Sequence, residues 1–274
     1  MNNLVTRTIT GTLFVAAVVA SILFQRQFYI FTALFGVFNI LAMIEFYKIV
    51  NAKQNVSVPT IYMLICGTVL YLACFWCAFI DKPTEIEGFI PFIVYMILIA
   101  ALIITEIYRQ KEHPTYDLAF SIYGQVVVAL PFGLLNFIAR DPSQLLALFV
   151  LIWTFDTGAY LFGSSFGKHK MIPRISPKKS WEGEIGGAIT AVAVGILFAL
   201  YKGDPIWQWI IFSIIVVVFG TYGDLSESML KRASNIKDSG NILPGHGGML
   251  DRFDSMLLAA PIIYVYLEIL KAIK

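Results

Sequence analysis

Nine apolar runs, each long enough to cross a bilayer as a helix, limit what this 274-residue chain can fold into. A transmembrane helix needs about 20 mainly apolar residues to span roughly 30 Å of hydrocarbon. The runs lie near 9–24, 28–50, 60–80, 88–108, 118–138, 143–163, 183–201, 206–223 and 254–271. None alternates as a barrel strand does, and backbone in lipid must satisfy its own hydrogen bonds, so each run is read as a helix. The predicted fold class is all-α, a polytopic integral membrane protein of about nine transmembrane helices. Composition agrees, with 58% hydrophobic and only 14% charged residues, where soluble domains carry about a quarter charged. Twenty Lys and Arg against 18 Asp and Glu leave a net charge of +2, which offers no basic excess for nucleic acid, so no such partner is expected.

The charges are distributed unevenly. With the N-terminus inside, 14 Lys and Arg fall in cytoplasmic segments and 6 outside. The positive-inside rule therefore places the N-terminus in the cytoplasm and, with nine helices, the C-terminus outside. Two long polar segments, about 164–182 and 224–253, then face the cytoplasm, where nucleotides are available. The first run contains Val18-Val19-Ala20, which resembles a weak leader-peptide cleavage site; eight further apolar runs favour a retained first helix.

The chain divides by character. Residues 1–140 are mostly plain membrane sequence, read as the N-terminal and middle transmembrane helices, and 141–274 form a C-terminal membrane region expected to carry the chemistry. Cys66, Cys74 and Cys77 all sit in the third run, without polar neighbours or a second ligand pair, and are read as packing residues. Glu45 and Glu106 are the exceptions of the first part, either interfacial carboxylates or side chains turned to a polar cavity.

Chemistry concentrates in the second part. Asp156 stands inside WTFDTGAYLFG, within the sixth run, where an unpaired charge costs about 2.5–3.5 kcal/mol on insertion scales. It is a functional candidate by default, with helix packing beside Gly158 and Ala159 as the alternative. The segment FGKHKMIPRISPKKSWEGEIGG carries Lys168, Lys170, Arg174, Lys178 and Lys179 ahead of a glycine-rich helix start. Cations near a helix N-terminus suit phosphate. Residues 223–255 interleave Asp224, Glu227, Asp238, Asp251 and Asp254 with Lys231, Arg232, Lys237 and Arg252. Carboxylates supply oxygen ligands for Mg²⁺ while Lys and Arg take the remaining phosphate charge, as metal-assisted phosphoryl or nucleotidyl transfer requires. Asp224 at the end of the eighth run and Asp251 just before the ninth are expected to meet at the cytoplasmic boundary, and Asp254 shares a helix face with Asp251. His246, between glycines, is either a loop hydrogen-bonding residue or a phosphate contact.

These residues resemble a known family. SMLKRASNIKDSGNILPGHGGMLDRFD, residues 228–254, fills every fixed position of the phosphatidate cytidylyltransferase signature, S-x-x-K-R-x(4)-K-D-x-G-x(2)-L-P-G-H-G-G-x-x-D-R-x-D. DTGAYLFGSSFGK, SPKKSWEGEIGG and GDLSES resemble the family's upstream motifs. The resemblance implies Mg²⁺-dependent transfer from CTP to phosphatidate, giving CDP-diacylglycerol and pyrophosphate for phospholipid biosynthesis. It also implies a nine-helix homodimer in the bacterial plasma membrane, with a polar cavity open to the cytoplasm and to lipid. By motif position Asp224 and Asp251 correspond to metal-binding carboxylates, and Asp224, Lys231, Arg232, Asp251 and Asp254 to the catalytic set. Lys178, Lys179, Ser228, Lys237, His246, Arg252 and Asp156 are expected around the substrates. The family's chemistry calls for Mg²⁺ and leaves open a second, monovalent cation.

Two rivals are distinguished by sequence and a third stays open. An ion-coupled transporter has no need of a long cytoplasmic segment with K-R, K-D and D-R pairs. A CDP-alcohol phosphotransferase would carry D-G-x(2)-A-R-x(8)-G-x(3)-D-x(3)-D, a pattern missing here. CTP-dependent activation of a different lipid phosphate is the nearest alternative.

Overall fold

The computed structural model describes residues 3–25, 29–53, 55–79, 85–242 and 247–273, with side chains from residue 8 onward and, in the fourth helix, from residue 88. Among these residues, nine helices follow the nine apolar runs: α1 (Asn3–Leu23), α2 (Ile30–Asn51), α3 (Thr60–Phe79), α4 (Glu85–Tyr108), α5 (Pro114–Ile138), α6 (Pro142–Phe166), α7 (Trp181–Lys202), α8 (Ile206–Ala233) and α9 (Leu250–Ile273). Eight are long and apolar enough to cross a membrane; the apolar stretch of α1, Thr8–Leu23, is shorter. The chain is a multi-pass membrane protein.

Both polar segments differ from the sequence expectation. The helices α6 and α8 continue to Phe166 and Ala233, past the expected ends at 163 and 223. Polarity rises after residue 223 but helix propensity does not fall, and Glu227 pairs with Lys231 one turn on, a spacing that supports a helix. Asn235, at φ 55°, turns the chain away in the left-handed region that commonly follows a helix end. Within 164–182 a hairpin forms: β1 (Lys170–Ile172) pairs antiparallel with β2 (Ser176–Ser180). Its turn is closed by Ile175 N–H donating to the Ile172 carbonyl at 3.1 Å, with Pro173 at the turn position its fixed φ favours. The all-α description therefore gains one small two-stranded sheet.

The contacts group the chain into two compact units, Met1–Pro142 with Ser234–Arg252, and Ser143–Ala233 with Phe253–Lys274. In the first, α3 packs against α2, α4 and α5 over a core that includes Phe35, Met43, Phe46, Met63 and Phe132. Cys66 and Cys74 are buried in it, as packing residues would be. Several polar groups inside are paired with one another or with backbone, which lowers their cost in hydrocarbon. Thr32 Oγ1 donates to Asn136 Oδ1 at 2.9 Å, Tyr71 OH to the Thr32 carbonyl at 2.7 Å, and Tyr47 OH to the Ser121 carbonyl at 2.9 Å. A π-helical stretch, Gln125–Ala129, interrupts α5, and Gln125 Nε2 donates there to the Met63 carbonyl at 3.0 Å. Glu106, buried, accepts from Arg109 Nη1 at 2.5 Å, and Asp117 pairs with Lys111.

In the second unit, α7 packs along α8, with Trp209 stacked on Phe198 at 5.4 Å between ring centroids. The α6–α7 crossing is a seam of small residues. A Cβ on Gly187 would stand 2.7 Å from the Phe155 carbonyl oxygen and 2.9 Å from the Ala159 nitrogen, so only glycine lets the backbones approach this closely. Ser180 caps α7 by accepting from Gly183 N–H at 3.3 Å. The Glu182 carboxylate ties the hairpin to the same helix start, accepting from Lys168 N–H at 3.0 Å and meeting His169 Nδ1 at 2.5 Å.

Candidate active site

The site of the second unit begins with a backbone contact. A Cβ on Gly223 would lie 2.5 Å from the Asp254 carbonyl oxygen and 3.1 Å from that of Ser255, so α8 and α9 touch there without intervening side chains. Asp224 follows Gly223 directly, and the close approach brings it to Asp254. Glu227, three residues along α8, shares their face. Asp224, Glu227 and Asp254 each offer one carboxylate oxygen, and these oxygens lie within 4.8 Å of one another. The charge of Asp156 acts on Asp254 together with those of Asp224 and Glu227. Such a concentration of negative charge in a poorly solvated place calls for cations.

Two lysines answer part of that demand. Lys179 Nζ lies 2.6 Å from Asp224 Oδ2, and Lys231 pairs with Glu227. Ser228 Oγ donates to Asp224 Oδ1 at 3.2 Å. Thr221 donates to Glu184, one helix over. A cavity of about 550 Å³ opens beside this group, with Asp156, Tyr160, Lys170, Lys178, Lys179 and Glu184 among its lining residues. Lys179 belongs to both the cavity wall and the carboxylate group. Carboxylates for a hard cation therefore adjoin a pocket walled by ammonium groups, the pairing of charges that a triphosphate-and-metal substrate requires.

Of the residues expected from sequence, Asp224, Asp254, Ser228, Lys231 and Lys179 come together here, and Asp156 and Lys178 line the adjoining cavity. Arg232, Lys237 and Arg252 are exposed. His246 lies outside the described residues, as does Gly245. Asp251 was expected to join Asp224; it belongs to the first unit, where its carboxylate has partners of its own. Its Oδ2 accepts from Ser239 N–H at 2.9 Å and Gly248 N–H at 2.8 Å, with Ser239 Oγ 3.0 Å away. Glu227 was not singled out as a ligand by sequence; its spacing of three from Asp224 becomes informative only once α8 is known to continue past residue 223. The carboxylate of Glu184 was noted only as part of a segment, and its partner Thr221 was not noted at all.

Comparison with known proteins agrees with this chemistry. Residues 5–270 match the model of the cytidylyltransferase family. A phosphatidate cytidylyltransferase of Staphylococcus haemolyticus is 35% identical over 83% of this chain and 87% of its own length. One from Rickettsia felis is 32% identical over 77% of this chain and 92% of its own. One from Haemophilus influenzae is 44% identical over a shorter alignment, which spans 48% of this chain and 49% of that relative. The chain belongs to the cytidylyltransferase family, alongside the phosphatidate cytidylyltransferases.

Proposed function

We propose that this chain is a phosphatidate cytidylyltransferase that makes CDP-diacylglycerol and pyrophosphate from CTP and phosphatidate at the Asp224, Glu227 and Asp254 group. The observation that carries the reading is the junction at Lys179, where a lysine-walled cavity meets clustered carboxylates. Three carboxylate oxygens within 4.8 Å are a donor set suited to Mg²⁺ and poorly suited to soft metals. Asp224, Glu227 and Asp254 would hold it, with Asp251, one turn earlier on α9, put forward beside them by the signature. When bound, Mg²⁺ supplies charge neutralisation and Lewis acidity at the phosphates.

The chain's own residues bind and orient. Lys178, Lys179 and Lys170 receive phosphate oxygens in the cavity, and Ser228 fixes the rotamer of Asp224 through its hydrogen bond. Lys231, held by Glu227, and the exposed Arg232, Lys237 and Arg252 add positive charge for two polyanions that otherwise repel. His246 is assigned a phosphate contact by its place in the signature. The phosphatidate phosphate is ionised near neutral pH, so its oxygen attacks the α-phosphorus of CTP without a protein base. The bond from that phosphorus to the bridging oxygen breaks, and pyrophosphate leaves.

The 14-to-6 partition of Lys and Arg supports a site facing the cytoplasm. A homodimer and a second, monovalent cation are supported by the family resemblance. The test is purified protein in detergent or nanodiscs, supplied with labelled CTP, Mg²⁺ and a panel of lipid phosphates. Label should enter lipid with phosphatidate and pyrophosphate should appear in equal amount. Equal turnover of an unrelated lipid phosphate would replace phosphatidate as the substrate, and no turnover of any would sink the reading.

A further inference from the structure

We propose that Glu45, which lies outside every signature motif, is a positioning residue for this reaction and acts by holding Ser239 and the start of α9 at Met249 and Leu250. The inference rests on the cytidylyltransferase reading above. Glu45 sits in α2 and is 3% exposed. A carboxylate in an apolar helix is costly and is retained where it has specific partners. Here the partners are known: Oε1 accepts from Met249 N–H at 3.0 Å, and Oε2 from Leu250 N–H at 2.8 Å and Ser239 Oγ at 2.8 Å.

Met249 directly precedes α9 and Leu250 opens it. The first N–H groups of a helix have no partner within it and are usually satisfied by the residue just before the helix. In this chain a side chain some two hundred residues upstream takes that place, and its negative charge suits the positive end of the helix. Two glycines of the signature fit the same explanation. A Cβ on Gly240 would collide with Glu45 Oε1, and one on Gly248 would collide with Glu45 Oε2 and Ser239 Oγ. Both glycines leave room for this carboxylate. Ser239 then carries the constraint on, because its Oγ also lies 3.0 Å from Asp251 Oδ2, and its N–H donates to the same oxygen at 2.9 Å. Glu45 thus fixes the first turn of α9 and, through Ser239, the rotamer of Asp251; Asp254 follows one turn along the same helix.

The experiment compares wild type, Glu45→Gln, Glu45→Asp and Gly240→Ala in nanodiscs. For each it measures kcat and KM for CTP and phosphatidate, thermal unfolding, and hydrogen exchange of peptides covering 239–250. Misplacing a site by about an ångström costs on the order of 100-fold. Glu45→Gln, which presents an amide N–H to backbone donors, should therefore lower kcat by about 10- to 100-fold. Its 239–250 peptides should exchange faster while unfolding of the remainder is unchanged. Glu45→Asp, which keeps two acceptor oxygens, should recover part of the loss. Gly240→Ala should give the same kinetic change, and the double variant should be no worse than either single, the mark of one shared element. Wild-type kcat in Glu45→Gln, or a loss explained wholly by less folded protein, would overturn the proposal. Should wild type itself form no CDP-diacylglycerol, the functional reading fails, while unchanged exchange in 239–250 would separately refute the role of Glu45.

Discussion

Lys179 Nζ and Asp224 Oδ2, 2.6 Å apart, join the end of the β1–β2 hairpin to α8. The lysine side chain is 23% exposed and the aspartate 27%, so the pair is neither solvent-screened like a surface bridge nor sealed in the core. Its position matters more than its contribution to stability, because one partner lines the cavity and the other belongs to the carboxylate group. On the proposed reading, substrate phosphates arriving at Lys179 would compete with Asp224 for the same ammonium.

That competition predicts the phenotype of Lys179→Ala. KM for CTP should rise about tenfold or more through loss of a charge-assisted contact, with thermal stability changed by no more than about 1 kcal/mol. Steady-state kinetics with thermal-shift measurements will check it; a purely structural lysine would reverse the pattern.

Asp224→Asn and Asp254→Asn should each lower kcat by about 100-fold or more, the scale on which charge-stabilising groups act, while the variants remain inserted and folded. Titrating activity with Mg²⁺ adds a discriminator for Asp251. If Asp251→Asn shifts the Mg²⁺ dependence as Asp224→Asn does, Asp251 is a ligand; if it only accelerates exchange of the 239–250 segment, its hydrogen bonds to the Ser239 and Gly248 N–H groups are its role.

Asp156 lines the cavity from α6. Asp156→Asn should insert normally and reduce turnover several-fold, about 1 kcal/mol of transition-state stabilisation, and Asp156→Leu should reduce it further. Full activity with raised thermal stability in Asp156→Leu would make it a tolerated polar residue of the helix.

Gly187→Leu should be a folding variant. The glycine faces the backbone of α6, and forcing a side chain into packed space costs about 1–3 kcal/mol or more. Yield and thermal stability should fall without any change in KM of the surviving protein. At Gly203, where φ is 70° and a Cβ would meet nothing within 4 Å, asparagine should be accepted at little cost.

Sidedness is tested by cysteine labelling. In a background lacking the three native cysteines, Lys170→Cys and Lys237→Cys should resist an impermeant reagent applied outside intact cells, and a tag after Lys274 should be reached. The opposite accessibility would invert the topology.

The helices were legible because hydropathy reports burial in lipid directly, and their order followed from length alone. The ends of α8 and α6 were not, since a helix leaving the membrane changes polarity before it stops being a helix. Glu227 was hidden for that reason: inside a segment read as loop its spacing from Asp224 carried no geometric meaning. The hairpin at 170–180 was missed because strands this short give no periodic signal, although Pro173 marked its turn. Glu45 stood out as a carboxylate in an apolar run, but two of its three partners are backbone N–H groups, which no side-chain pattern encodes. Asp251 shows the converse, since a motif position names a residue without naming the atoms it touches.

The helix α8 has 28 residues, which at 1.5 Å per residue extend about 42 Å, against roughly 30 Å of hydrocarbon. Lys231 rides on its surplus turns and Asp224 sits just below them, both fixed to a rod whose depth is set by how the bilayer accommodates it. Thickening the bilayer draws those turns toward hydrocarbon and thinning it lifts them into water, each at fractions of a kcal/mol per ångström of mismatch. Turnover in nanodiscs of graded acyl-chain length should accordingly pass through a maximum, so that bilayer thickness acts on the rate through the depth of one helix.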